Sequence, residues 1–200
     1  MGKAETNKQI KRESLLNTAF DLFTTKGINN TSIADIVEAA GVAKGTFYLY
    51  FKDKYDINSK LLVHRSSLLF ASALTRMHEM GITDVREKIF FVIDDIIDAL
   101  TKDKVLLMFI SKNLGLGFSR YMMESPAVTE EEPFASATKE FIEDIGNTIS
   151  DPRLMMYMII ELTGSSIYSA ILYDKPVTID ELKPHLYKTI SSIIDQFTER

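Results

Sequence analysis

The side chains that could do chemistry are few. His64, His78 and His185 are isolated, with no neighbouring residue at a metal-ligand spacing. The chain has no cysteine, which excludes thiolate metal sites, thiol nucleophiles and a disulfide framework. There is neither a nucleophile elbow nor a P-loop. Gly115-Leu116-Gly117 lacks the third glycine and the preceding strand of a dinucleotide fingerprint, and marks a helix break instead. No catalytic residue, metal or cofactor is therefore expected. One carboxylate is out of place: Glu161 interrupts the apolar run MMYMIIELTG, where it must find a partner or a shifted pKa. A cationic group on a ligand would serve, and so would a structural pair with a tyrosine hydroxyl or a basic residue. Asp94, Asp95 and Asp98 read as a solvated face.

A second cluster lies in residues 43–54, AKGTFYLYFKDK, where a lysine and a glycine precede four aromatics and a leucine in five positions. By propensity alone this is a strand, with Phe47, Leu49 and Phe51 on one face and Tyr48 with Tyr50 on the other. As a helix it places Phe47 and Phe51 four apart on one face, with Tyr48 on a different side. Context favours the helix. A two-turn helix ending at Gly41, followed by Val42 and a short segment with glycine near its start, is the helix-turn-helix layout, and a lone strand here would have no partner.

The elements that must position these residues are helices throughout. N-cap side chains stand three residues before an acid or amide at Thr6, Ser32, Asp53, Asp84 and Thr178. Pro133 and Pro152 occupy first-turn positions. No hairpin signal appears. The pattern predicts helices over 6–25, 33–40, a short one within 43–51, then 53–80, 84–101, 103–112, 115–124, 133–149, 151–173 and 178–198, with an exposed loop at 125–132. Two hundred residues and 46% hydrophobic content support a sizeable core. No basic, apolar leader opens the chain and no apolar run approaches the roughly 20 residues that span a bilayer, so a cytoplasmic protein with no membrane partner is expected. The net charge of −5 is unevenly spread: residues 1–54 hold eight Lys and Arg against six Asp and Glu, the remainder fifteen against twenty-two. An acidic body with a basic end can still bind DNA, because only the contacting face must neutralise phosphates.

Residues 31–54, TSIADIVEAAGVAKGTFYLYFKDK, together with LLNTAFDLFTTKG in the first helix, resemble the DNA-binding signature of the TetR (tetracycline repressor) family. The resemblance covers about the first 60 residues. It implies an all-α fold: an N-terminal three-helix helix-turn-helix domain, residues 1–54, fused to a larger helical ligand-binding and dimerisation domain, residues 55–200. Residues 33–40 become the supporting helix and 43–50 the recognition helix in the major groove. On this resemblance Lys44 reaches a base edge or phosphate, Gly45 lets the backbone approach closely, and Thr46 meets a phosphate or a thymine methyl. Tyr48 and Tyr50 offer hydroxyls to phosphate, Lys54 adds a charge contact, and Ser32 with the N–H groups after it meets another phosphate. Phe47 and Phe51 anchor the short helix inward. Ala34 departs from the family, whose members often carry a long polar or basic side chain there, so fewer base contacts are expected from the supporting helix.

For residues 55–200 the resemblance implies a ligand-binding core and a homodimer made by the last two long helices. The stripe Leu182, Leu186, Ile190, Ile193 or Ile194 and Phe197, with small Gly164, Ser165, Ser166 and Ala170 on the preceding helix, is compatible with a four-helix contact or with ordinary intrachain core. Phe109, Phe118, Tyr121, Met122, Met155, Met158 and Tyr168, with Glu161, could line a site for a small hydrophobic effector. The function expected is a homodimeric repressor that leaves a palindromic operator when a small molecule binds. The alternatives are a ligand-binding activator and a helical protein-interaction module; the latter leaves Lys44, Gly45 and Lys54 without a task.

Overall fold

The computed structural model describes residues 3–110, 133–146 and 148–198. Among them every regular element is a helix: α1 (Lys3–Thr25), α2 (Ile33–Ala39), α3 (Lys44–Tyr48), α4 (Lys54–Glu79), α5 (Val85–Lys102), α6 (Lys104–Ile110), α7 (Pro133–Ile145), α8 (Pro152–Tyr173) and α9 (Ile179–Phe197). Extended pairing among the described residues is limited to one isolated bridge, Ile149 with Thr198. The expected helix at 115–124 and loop at 125–132 lie outside the described residues.

The capping chemistry written in the sequence is what starts several of these helices. Ser32 and Asp35 close a reciprocal capping box on α2, and Thr178 with Glu181 does the same on α9. Asp84 and Asp151 accept from Glu87 N and Leu154 N at the starts of α5 and α8. Thr6 is a correction: α1 begins three residues earlier, so Thr6 lies inside the helix rather than at its cap.

The chain divides into two compact units, Met1–His64 and Arg65–Arg200, and the division falls inside α4 rather than at its start. In the first unit Leu15, Leu16 and Ala19 of α1, Ile36 of α2, Phe47 of α3 and Ile57 and Leu61 of α4 are fully buried. Burying each such side chain is worth about 1.5–3 kcal/mol, which is how a five-residue helix that could not stand alone in water is held. Gly41, at φ +66, adopts the left-handed conformation that lets the chain leave α2 and turn toward α3. His64 Nε2 lies 3.1 Å from the Glu13 carboxylate, joining α4 to α1.

In the second unit α8 packs along α9 and also meets α5, α6 and α7. Leu186, Ile190, Ile193 and Ile194 of α9 are buried within this unit. Four positions of the stripe are thus intrachain core, one of the two alternatives the spacing left open, while Leu182 and Phe197 are half-buried. Asp94, Asp95 and Asp98 are not a bare solvated face either. Lys183 Nζ donates to Asp94 at 2.7 Å and to Asp98 at 2.9 Å, Tyr187 donates its hydroxyl proton to Asp94, and Arg76 Nε donates to Asp95 at 2.6 Å. These bonds tie α5 to α9 and α4. Finally, α8 is long and apolar enough, by length and composition, to cross a bilayer, contrary to expectation; 44% of that stretch is buried within the chain.

Candidate functional site

The stretch 43–54 folds as the helical alternative. Phe47 is 0% and Phe51 2% exposed, their ring centroids 5.5 Å apart, so the two phenylalanines form the floor on which α3 rests. Two polar clamps fix its far end. Lys60 Nζ donates to the Tyr50 carbonyl at 3.0 Å and lies over the Phe51 ring, and Tyr50 donates its hydroxyl proton to the Lys8 carbonyl at 3.1 Å. The recognition element is shorter than expected: α3 ends at Tyr48, with Leu49 and Tyr50 in the turn that follows.

What α3 turns outward is a compact set. Lys44, Gly45 and Tyr48 are exposed, Tyr48 at 52%, and neither the Lys44 ammonium nor the Tyr48 hydroxyl bonds to any described residue. Thr46 is half-buried beside them. A Cβ added at Gly45 would have no atom within 4 Å, so nothing in the chain itself needs a glycine there. This combination of a free cation, a free hydroxyl and a bare stretch of backbone suits close approach to a phosphodiester.

Three expected phosphate contacts are used differently. Tyr50 spends its proton on Lys8, so it has none to donate outward. Lys54 Nζ donates to the carbonyls of Ile28, Asn29 and Thr31 at 3.0, 3.2 and 3.4 Å; its three protons pin the connection between α1 and α2. Ser32 Oγ donates to Asp35 Oδ2 at 2.8 Å and accepts from Asp35 N at 3.1 Å. Hydrogen bonds from the backbone and side chain of Ser32 hold the Asp35 carboxyl below the usual carboxylate range, so that end of α2 carries a fixed negative charge. Ala34 is exposed and offers only a methyl.

Two further exposed side chains flank this surface. Leu49 is 77% exposed, the most exposed large apolar side chain in the chain's described part. Helical spacing could have found it, because it stands about 200° round the axis from buried Phe47. Lys52 is exposed just beyond Tyr50.

In the second unit α4, α5 and α8 line a half-open apolar pocket of about 80 Å³. Leu69 and Phe70 of α4, Ile93 and Leu100 of α5 and Ile159 and Ile167 of α8 supply apolar wall. Ser66, Thr163 and Gly164 line it as well. Of the effector-site residues expected from sequence, Phe109, Met155, Met158, Glu161 and Tyr168 do not line it. Met155 is core, Phe109 and Tyr168 are half-buried elsewhere, and Met158 and Glu161 are exposed. Glu161 is therefore a solvated carboxylate, not a buried one seeking a cationic ligand. Phe118, Tyr121 and Met122 lie outside the described residues.

Comparison with known proteins fits this geometry. Residues 15–59 match the family model described as bacterial regulatory proteins, tetR family. That match lies within the N-terminal unit. The HTH-type transcriptional regulator AcrR of Shigella flexneri is 39% identical over 59 residues, 30% of this chain and 27% of the relative. The fatty acid metabolism regulator protein of Bacillus subtilis is 31% identical over 109 residues, 54% of this chain and 46% of the relative. The matched segments thus span less than half the length of either relative. Over nearly the whole chain, the fold is that of the transcriptional regulator FadR from Bacillus subtilis, solved in complex with stearoyl-CoA: TM-score 0.57 at 20% identity, covering 91% of this chain and 98% of that one.

Proposed function

We propose that the chain is a homodimeric repressor that grips a palindromic operator through α3 and releases it when a small hydrophobic effector enters the second unit. The observation that carries the DNA part is Gly45, which no internal contact requires and which stands between a free lysine and a free tyrosine hydroxyl on an exposed surface. In the groove, Lys44 and Thr46 meet base edges or phosphate, Tyr48 donates to a phosphate oxygen, and Leu49 covers a thymine methyl. Tyr50, Lys54 and Ser32 shape this surface from behind. They do so by fixing the ends of α3 and the connection into α2.

A palindromic site calls for two copies of α3 related by a two-fold axis. Since most of the stripe of α9 is buried, the outward face of α8 is the better candidate for the partner contact. Leu154 is 47% exposed there, with Tyr157 and Met158 beside it. These are the aromatic, methionine and aliphatic types enriched at interfaces. Release follows if the effector favours an arrangement of the dimer in which the two copies of α3 misfit the half-sites. Helix α4 belongs to both units and lines the cavity, so a displacement there has a continuous element to travel along.

The test is footprinting on the DNA upstream of the chain's own gene, paired with sedimentation. A protected palindrome, a dimer, and a monomer for the Leu154→Glu, Tyr157→Glu double variant are expected. Absence of any protected site, or a wild-type monomer bound to DNA, would count against the proposal.

A further inference from the structure

The bond from the Tyr50 hydroxyl to the Lys8 carbonyl joins two parts of the first unit that lie 42 positions apart. Residues 6–11 of α1 are all exposed, so the first turns of this helix stand clear of the core that begins at Leu15. A chain terminus keeps its place only where something ties it down, and here a tie runs to the turn that follows α3. It costs α1 nothing, because a helical carbonyl oxygen has a second lone pair to offer.

What this tie puts beside α3 is a lysine. Lys8 stands two helical turns before Leu15 and three before Ala19, on the stripe of α1 that faces the core of this unit. Beyond the end of that core the stripe continues beside Tyr50. The Lys8 ammonium bonds to no described residue, and Glu13 on the same helix is already engaged by His64 at 3.1 Å and Arg12 at 3.6 Å. Helix α3 has five residues, about 7 Å at 1.5 Å each, whereas the major groove is about 12 Å wide. An element that short does not fill the groove from wall to wall, so the chain beyond its end comes against the sugar-phosphate wall. That chain is Leu49 and Tyr50, with Lys8 tied to it. A point charge on a flexible stem suits a phosphate better than a base edge.

We propose that Lys8 binds a phosphate of the DNA strand flanking α3 and that the Tyr50 hydroxyl is the strut that positions it, so that the DNA interface extends from the helix-turn-helix onto the first turns of α1. This deepens the DNA-binding reading of α3 and rests on it. Tyr50 then serves the interface through Lys8, without a DNA contact of its own.

The experiment titrates the full-length chain, at a series of salt concentrations, with a duplex carrying the palindrome protected upstream of its own gene. The variants are Lys8→Gln, Lys8→Arg, Tyr50→Phe and the Lys8→Gln, Tyr50→Phe double variant, with Lys44→Ala as the reference for α3. Lys8→Gln should lower the salt slope by about 1 and the affinity roughly threefold to tenfold at about 0.1 M salt, while melting as the wild type does. Lys8→Arg should keep both slope and affinity. In the Tyr50→Phe background the Lys8→Gln change should cost markedly less, because an untied α1 no longer holds the ammonium at the strand. A wild-type slope in Lys8→Gln, or a Lys8 effect of equal size with and without the Tyr50 hydroxyl, would overturn the inference. If Lys44→Ala lowers the slope and Lys8→Gln does not, the reading of α3 stands and this inference falls; if neither does, or no duplex binds, both fall.

Discussion

Tyr50 gives its hydroxyl proton to the backbone carbonyl of Lys8, 3.1 Å away, while Tyr48, two residues earlier, keeps its own for solvent. Two tyrosines in one short run thus have opposite tasks. Tyr50→Phe should lower stability by about 0.5–1 kcal/mol, the worth of one partly exposed hydrogen bond, and weaken DNA binding no further than that loosening explains. Tyr48→Phe should leave the melting temperature unchanged and weaken DNA binding. Thermal unfolding and duplex titration on the two variants check the assignment; the reverse pattern would exchange the roles.

Gly45→Ala separates folding from function. The added methyl meets nothing within 4 Å, and alanine is the better helix former by up to about 1 kcal/mol. The variant should be as stable as the wild type or slightly more so, yet bind DNA at least tenfold more weakly, because the methyl stands where the duplex backbone or base edges must come. Unimpaired binding would show that α3 does not approach DNA through this residue.

Lys54→Met removes three hydrogen bonds to Ile28, Asn29 and Thr31. A loss of about 1–3 kcal/mol is expected, with faster amide exchange in the connection between α1 and α2. The dependence of DNA affinity on salt should stay close to that of the wild type, since this ammonium already has its partners. Lys44→Ala should do the opposite, sparing stability and lowering the salt slope by about 1.

The Asp94 cluster sets a pH dependence with a defined sign. Burial pushes the Asp94 carboxyl up, but the hydrogen bonds from Lys183 and Tyr187 outweigh it and hold the group below the usual carboxylate range. Its folded form therefore favours the ionised state, and the stability it adds is present above about pH 4 and lost as the pH falls further. Burial lowers Lys183 while Asp94 and Asp98 raise it by more, so its share is kept through neutral pH and lost only in strong alkali. Asp94→Asn should cost on the order of 1 kcal/mol at pH 7, a modest figure because both partners are partly exposed. The gap in melting temperature between wild type and variant should close as the pH approaches 3. A gap that widens in acid would contradict the assignment.

The helices were legible because their signals are local. The caps at Ser32, Asp84, Asp151 and Thr178 act within three residues, and the four-residue spacing of Phe47 and Phe51 decides which face of α3 is buried. What the outward groups touch was not legible, since the carbonyls that occupy Tyr50 and Lys54 come from residues 42 and as many as 26 positions away. The cavity was harder still. Helix α8 is apolar on all sides, so no period tells which of Met155, Met156 and Met158 looks into core, cavity or solvent, and Glu161 looks buried in the sequence only because its neighbours are apolar.

The most direct test of DNA binding through α3 is titration of the full-length chain with its operator duplex at a series of salt concentrations, alongside the Lys44→Ala, Tyr48→Phe double variant. A logarithmic fall of affinity with salt is predicted, with a slope of about −0.9 for each phosphate neutralised, together with a shallower slope and weaker binding for a double variant that melts like the wild type. Salt-independent affinity, or a double variant that binds as the wild type does, would contradict it.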